Sequence, residues 1–271
     1  MSEGPPGLPH DDDGPGSGVD GEGWESRAAQ WLAWARTPEF DAYWSYRDAF
    51  FALVPAPAGR TLEVGCGEGR VTRDLAARGH RVTALDPSPT LLRAAAERDP
   101  QSEYVLGSAE ALPFADASFD LVVAHNVLID IEDMPRAVRE AARVLAPGGR
   151  MCVCVPHPVA DAGRWTSDAG DSPFVIAGSY LAARPFTETI ERDGLEMTFD
   201  GMAYPLVDYA RALEHAGLLI EAIREPAPAA GATAGAEGAG WARWHRIPMF
   251  LMLRALKPRV GQARGRVGAG R

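Results

Sequence analysis

Residues 61–70, TLEVGCGEGR, constrain this chain more than any other stretch. An apolar run carrying the acidic Glu63 ends at Val64, and glycines then stand at 65, 67 and 69 before helical spacing opens at Arg70. Glycine adopts backbone angles closed to other residues and lets a ligand approach the main chain. Three alternating glycines after a buried strand therefore predict a binding turn between strand and helix.

The strand-then-helix unit recurs downstream. Residues 60–64, 81–85, 104–106, 119–124 and 151–155 read as strands. Helical spacing occupies 70–78, then 88–98 with Ser88 as the expected N-cap, then 134–145 with Pro147-Gly148-Gly149 as the expected stop. Near-continuous apolar strands alternating with helices predict an α/β protein with a parallel sheet covered on both faces. After 156 the pattern breaks into Pro and Gly punctuation and a hairpin, FTETIE-RDG-LEMTF, turning at Asp193-Gly194. A helix over 206–216 ends at Gly217, and strands are expected at 218–224 and 248–256.

Residues 24–258 are expected to form one domain. Within it, two amphipathic helices rich in Trp and Tyr, at 24–35 and 39–53, make a helical flap over 24–55. Residues 157–204 make a lid insertion after the fifth strand, and 226–240 a flexible loop. Residues 1–23, rich in Gly, Pro and Asp, have almost nothing to bury and are expected to be disordered; 259–271 read as a flexible basic tail.

Charge and composition exclude several classes. Lys+Arg 27 against Asp+Glu 37 gives a net charge of -10, a poor match to long nucleic acid, whose phosphates demand Lys and Arg. No apolar run approaches the roughly 18–20 residues of a membrane span, and the N-terminus lacks the basic start and apolar core of a signal peptide, so a cytoplasmic location is expected. The three cysteines, Cys66, Cys152 and Cys154, have no zinc spacing, so no metal site is expected. Cys152 and Cys154 read as core fillers.

The glycine spacing discriminates between nucleotides. A dinucleotide fingerprint is GxGxxG, whose last small residue allows close helix–strand packing, and Arg70 stands at that position here. Glu68 also places negative charge where a pyrophosphate would want a bare helix N-terminus. NAD is disfavoured.

An acidic residue followed by GxGxG resembles the first motif of the class I S-adenosylmethionine-dependent methyltransferases, and three further segments continue the resemblance. Asp86 ends the second strand in VTALDPS, just before Pro87. GSAEALPFADASFDLVVAHNVL at 107–128 is similar to the adenine-binding turn and fourth strand, and AARVLAPGGR at 141–150 to the turn before the fifth strand. The four segments span roughly 60–156. The resemblance implies a Rossmann-like, seven-stranded, mostly parallel sheet with helices on both faces and an antiparallel last strand. It implies S-adenosyl-L-methionine as cofactor, cradled by Glu63, Gly65, Cys66, Gly67 and Gly69, with Asp86 on the ribose hydroxyls and Ser108, Ala109 and Glu110 near the adenine. The family commonly has Asp where Ser108 stands, so Glu110 or backbone groups around Ala109 share that contact.

In open α/β sheets the ligand crevice lies at the carboxyl ends of the strands. His125, Asn126 and Asp130 follow strand four, and Pro156-His157-Pro158 follows strand five. His157 is the first candidate for a general base, the alternative being a surface His in a Pro-rich turn. His125 is expected to line the methionine end of the cofactor. Tyr43 and Tyr46 in the flap either close over the site and orient substrate or simply pack. Strand four ends in Ala-His-Asn-Val, unlike the (Asp/Asn/Ser)-Pro-Pro-(Tyr/Phe) tetrapeptide of nucleic-acid amino-methyltransferases. The expected partner is therefore a small molecule, with neither nucleic acid nor membrane, and a homodimer is left open.

Within the superfamily the chain looks most like the ubiquinone/menaquinone C-methyltransferase branch and its bacterial natural-product relatives. Its aromatic flap, the His after strand five (His157) and the inserted hairpin are similar to bacterial indole C3-methyltransferases. That implies methylation of a small aromatic acceptor, with C3 of an indole as one case. O- or N-methylation, quinone C-methylation, methylation of a protein or tRNA, and a non-catalytic S-adenosylmethionine-binding role remain the alternatives.

Overall fold

The computed structural model describes residues 21–37, 41–176, 178–229 and 241–259. Two helices, α1 (Gly21–Arg36) and α2 (Tyr43–Leu53), precede the alternation β1 (Arg60–Val64), α3 (Arg70–Ala77), β2 (Arg81–Asp86), α4 (Pro89–Arg98), β3 (Glu103–Leu106) and β4 (Phe119–His125). Then come α5 (Met134–Val144) and β5 (Leu145–Pro156). The insertion holds α6 (Pro158–Asp161), β6 (Gly163–Trp165), β7 (Phe174–Ile176), β8 (Arg184–Arg192) and β9 (Leu195–Ala203). The chain closes with α7 (Leu206–His215), β10 (Leu219–Arg224) and β11 (Phe250–Leu256).

Seven strands form one sheet in the order β10-β11-β5-β4-β1-β2-β3. All neighbours run parallel except β11, which is antiparallel to both β5 and β10. The chain builds outward from β1 through β2 to β3, then returns to the other side of β1 for β4 and β5. That reversal leaves a crevice at the carboxyl ends of β1 and β4. Burial follows the pattern read from sequence: β1 and β2 are buried along nearly their whole length, as strands covered on both faces must be. Leu62, Val122, Val144 and Leu213 belong to the core on one face, and Phe50, Leu75, Val123 and Met252 to the core on the other.

Local chemistry fixes the helix ends. Ser88 caps α4 by accepting from the Leu91 amide, and Asp133 caps α5 by accepting from Arg136 N. Gly217 ends α7 in the left-handed region (φ 73°), as expected, and Asp193 and Gly194 (φ 50° and 79°) make the two-residue turn between β8 and β9.

Several expectations need correcting. Residues 21–23 join α1 instead of a tail, while 1–20 lie outside the described residues. The helix α5 stops at Val144, and Pro147-Gly148-Gly149 lies within β5, where the ladder to β4 shifts register between Phe119 and Leu121. The insertion contains a second antiparallel pair, β6 with β7, that alternation did not suggest. Residues 226–229 have no regular structure, and 230–240, 260–271 and 38–40 lie outside the described residues.

The two N-terminal helices also separate in role. The α2 helix is core: Tyr43, Tyr46, Phe50 and Leu53 form one buried stripe at helical spacing. Only α1 is a flap, and it touches β9 and α4. Arg27 on α1 pairs in bidentate fashion with Asp200 on β9, and Phe199 packs edge-on against both Trp31 and Trp34.

Candidate functional site

A cleft of about 1800 Å³ opens at the carboxyl ends of β1 and β4. Its floor is the glycine loop. Gly65, Gly67 and Gly69 all take positive φ (68°, 54° and 83°), and the amides of Gly65 and Cys66 both donate to Leu85 O. Gly65, Cys66 and Gly67 line the cleft. Gly69 does not: a Cβ there would meet that of Ala95 at 2.8 Å, so its smallness serves the packing of α3 on α4.

Asp86 sits beside this loop. Its Oδ2 accepts from Gly67 N at 2.8 Å and its Oδ1 from Ser88 N at 2.9 Å, which fixes the carboxylate plane while each oxygen keeps a further lone pair. Burial pushes its carboxyl up to about 6, against the two amide bonds. Glu63 is buried deeper, receives a hydrogen bond from Thr72 Oγ1, and is pushed by burial up to about 8. Burial also holds the Cys66 thiol well above its ordinary range.

The other walls come from β4, the turn after β3, and the flap. Pro87, Ser108, Ala109, Glu110 and His125 all line the cleft. Glu110 spends one carboxylate oxygen on Asp133 N (2.7 Å), so its side chain leans toward α5 and the backbone of 108–110 faces the cleft more freely. Burial lowers His125 to about 3, which keeps the imidazole neutral; its ring stands edge-on to Tyr43 and Phe50. Asn126, at φ 54°, presents a buried Oδ1 without a hydrogen-bond partner. Glu68 is enclosed by Arg36, Arg73 and Arg98, so its charge is offset. The case against a dinucleotide rests on Arg70 instead, whose buried guanidinium pairs with Asp41 and lies over the Trp31 and Tyr43 rings.

The three residues expected at the reacting end are not on the cleft wall. His157 is buried and caps α6: Nδ1 accepts from Val159 N at 3.1 Å and Nε2 bonds Glu225 Oε1 at 2.8 Å, so both ring nitrogens are spent. Tyr43 donates to Asp74 within the core, and Tyr46 packs against Phe250 with its hydroxyl unpartnered. The i, i+3, i+7 spacing of Tyr43, Tyr46 and Phe50 was the available signal that these rings serve packing. His157→Ala is accordingly expected to cost about 1–3 kcal/mol of stability, through the lost α6 cap and the vacated volume of a buried ring, and to change turnover less than about tenfold. Denaturant melts beside steady-state rates check it.

Sequence reasoning missed Trp31, whose Nε1 would lie 3.2 Å from a Cβ at Gly67, and Glu25, which accepts from Ser88 Oγ and Thr90 Oγ1. The spacing Trp24, Trp31, Trp34 (i, i+7, i+10) marks one face of α1, and that face roofs the cleft. Among the described residues, no group of three or more His, Cys, Asp or Glu could hold a metal, and no helix is long and apolar enough to cross a membrane.

Comparison with known proteins agrees with this geometry. Residues 62–153 match the model of a methyltransferase domain. The chain is 43% identical over 97 residues to a malonyl-[acyl-carrier protein] O-methyltransferase of Erwinia pyrifoliae, covering 36% of this chain and 37% of that protein. It is 37% identical over 108 residues to a demethylmenaquinone methyltransferase of Renibacterium salmoninarum, covering 40% and 46%. The matches thus span less than half the length of these relatives. The crystal structure of an S-adenosylmethionine-dependent methyltransferase from Mesorhizobium loti superposes with a TM-score of 0.65 at 26% identity, over 80% of this chain and 98% of that one.

Proposed function

We propose that this chain, whose residues 62–153 match a methyltransferase domain, is a class I S-adenosylmethionine-dependent methyltransferase that transfers a methyl group to a small, aromatic, natural-product-type acceptor, C3 of an indole being the specific candidate. One observation carries the reading. The cavity that begins at Gly65, Gly67 and Asp86 continues without a break to walls of Trp165, Phe186, Trp241 and Trp244. Aromatic walls around a few polar groups suit a planar, largely apolar guest.

The residues present fit the cofactor. A side chain at Gly67 would crowd the gap beneath Trp31, Asp86 is fixed with lone pairs to spare, and Asn126 Oδ1 is an orphan acceptor on the same wall. In this reading the loop glycines admit the nucleoside, Asp86 beside Pro87 holds both ribose hydroxyls, and the backbone of Ser108, Ala109 and Glu110 meets the adenine. His125, neutral, stands at the methionine end. Glu63 and Cys66 support the loop from below.

S-adenosylmethionine supplies a methyl group already activated as a sulfonium. The chain's own work is then to hold the nucleophile in line and to exclude water. The Arg27–Asp200 pair ties to β9 the flap whose Trp24, Trp31 and Trp34 line the cleft, and in this reading it serves that exclusion by holding the flap in place.

A screen of indoles, phenols, amines and quinols with S-adenosylmethionine, read by mass spectrometry for products one methylene heavier, is expected to yield a C-methylated indole. Products on phenols, amines or quinols would move the acceptor to the alternatives. Cofactor binding without any product would favour a non-catalytic binding protein.

A further inference from the structure

With His157 spent as a helix cap, the chamber needs another group able to take a proton, and α6 presents one four residues later. Asp161 lines the cleft on the side of Trp165 and Phe186. Its Oδ2 is buried and has no hydrogen-bond partner. The Arg184 guanidinium donates to the Asp161 backbone carbonyl and not to the carboxylate. A buried carboxylate oxygen left open costs stability, and such open groups cluster where a ligand completes them.

We propose that Asp161 is the carboxylate that binds the acceptor and takes its proton, and that the acceptor is accordingly an aromatic N–H or O–H acid. The inference rests on the methyltransferase reading above and adds the residue and the acidity of the substrate. The step balances. The electron pair of the acceptor atom forms the new bond to the methyl carbon, and the carbon–sulfur pair stays on sulfur, turning sulfonium into neutral thioether. The N–H or O–H proton passes to Asp161 Oδ2, turning carboxylate into carboxylic acid.

The electrostatic surroundings suit the role. Burial raises Asp161 to about 6, with Arg184 opposing and Glu188 reinforcing the shift. Tyr209 on α7 also feels its charge and has a buried hydroxyl without a hydrogen-bond partner. Near neutral pH the group is ionised, yet it is a stronger base than an ordinary aspartate. Among the other carboxyls that line the cleft, Asp130 is pushed well above the carboxylate range by burial, with Asp200 reinforcing the shift, which favours its protonated form and not the role of a base.

The test uses the full chain loaded with S-adenosylhomocysteine and two matched probe pairs, indole with 1-methylindole and 2-naphthol with 2-methoxynaphthalene. By calorimetry near neutral pH, the wild type is expected to bind at least one N–H or O–H probe about tenfold or more tighter than its methylated partner. That preference should shrink as pH falls through about 6, the range in which Asp161 protonates. In Asp161→Asn the preference should be smaller and independent of pH, while Asp161→Glu restores part of it. Turnover of Asp161→Asn should fall roughly 10²–10⁴-fold with S-adenosylhomocysteine affinity unchanged. The raised value means that the charged form weakens the fold as pH climbs through about 6, so Asp161→Asn should melt no lower than wild type near neutrality.

Asp86 titrates in the same range, but it acts equally on both members of each probe pair. A wild type that transfers methyl yet shows no preference in either pair, or an Asp161→Asn that keeps wild-type turnover and pH dependence, overturns the assignment alone. A wild type that binds neither S-adenosylmethionine nor its product overturns the methyltransferase reading and this assignment with it.

Discussion

Alanine at position 86 is expected to weaken binding of S-adenosylmethionine and S-adenosylhomocysteine by roughly 10²–10⁴-fold while the chain stays folded. Under the proposed assignment each ribose hydroxyl donates to one carboxylate oxygen. Hydrogen bonds to a charged group contribute about 1.5–3 kcal/mol each, and two of them account for that range. The carboxylate needs no reorganisation on binding, because Gly67 N and Ser88 N already hold it from two sides. Stability should change little, for two effects oppose. Alanine strands the two amides, but it also removes a buried charge. The value of Asp86 is raised from 3.8 to about 6, so its ionised form weakens the fold as pH rises through that interval. For the same reason wild-type affinity should decline as pH drops through about 6, when the carboxyl gains a proton and one acceptor is lost. Calorimetry across pH beside thermal melts reads both effects, and unchanged affinity in Asp86→Ala would refute the ribose role.

The central sheet was legible because its strands are covered on both faces. Runs such as 119–124 and 151–155 have nowhere to be except inside, and the glycine spacing pointed to the turn that floors the cleft. The caps at Ser88 and Gly217 were legible for a local reason, since the side chain or φ that ends each helix lies within a few residues. What could not be read was long-range pairing. Arg27 meets Asp200, and Glu25 meets Ser88 and Thr90, across separations that no spacing rule spans.

The fold sets His157, Tyr43 and Tyr46 off the cleft wall for a related reason. His157 was chosen because an imidazole next to the end of strand five could reach the crevice, but Pro158 starts α6 there and turns the ring back to cap it. Asp161 received no attention in the sequence because a carboxylate in a polar loop is ordinary. Only the fold places its Oδ2 inside a wall with nothing to bond. In the flap, the Tyr stripe of α2 and the Trp stripe of α1 have the same helical signature. Which stripe meets the sheet and which lines the cleft depends on where each helix docks.

Gly65→Ala should be the most damaging single-methyl change in the binding loop. A Cβ at Gly65 would lie 2.2 Å from Val127 Cγ2 and 2.8 Å from Val127 Cβ, and the backbone there is left-handed at φ 68°. The left-handed conformation costs a non-glycine residue roughly 1–2 kcal/mol. Displacing Val127, which packs against the core beneath the cleft, adds about 1–3 kcal/mol of overpacking, for a total of about 2–5 kcal/mol. The loop cannot relieve the clash by shifting, because Gly65 N and Cys66 N both bond Leu85 O, at 2.7 and 3.0 Å. Any movement that spares Val127 breaks the link to β2 and displaces the amide of Gly67 from Asp86. Affinity for S-adenosylmethionine should therefore fall with stability, by about a hundredfold or more if the Asp86 geometry is lost. Gly194→Ala is the control. Its φ of 79° is equally left-handed, but nothing stands within 4 Å of its Cβ, so it should cost only the roughly 1–2 kcal/mol of backbone strain and leave binding untouched. Urea unfolding and calorimetry of the two variants separate strain from collision. Equal losses of stability would show that Val127 yields freely, and normal binding by Gly65→Ala would place the nucleoside somewhere other than this loop.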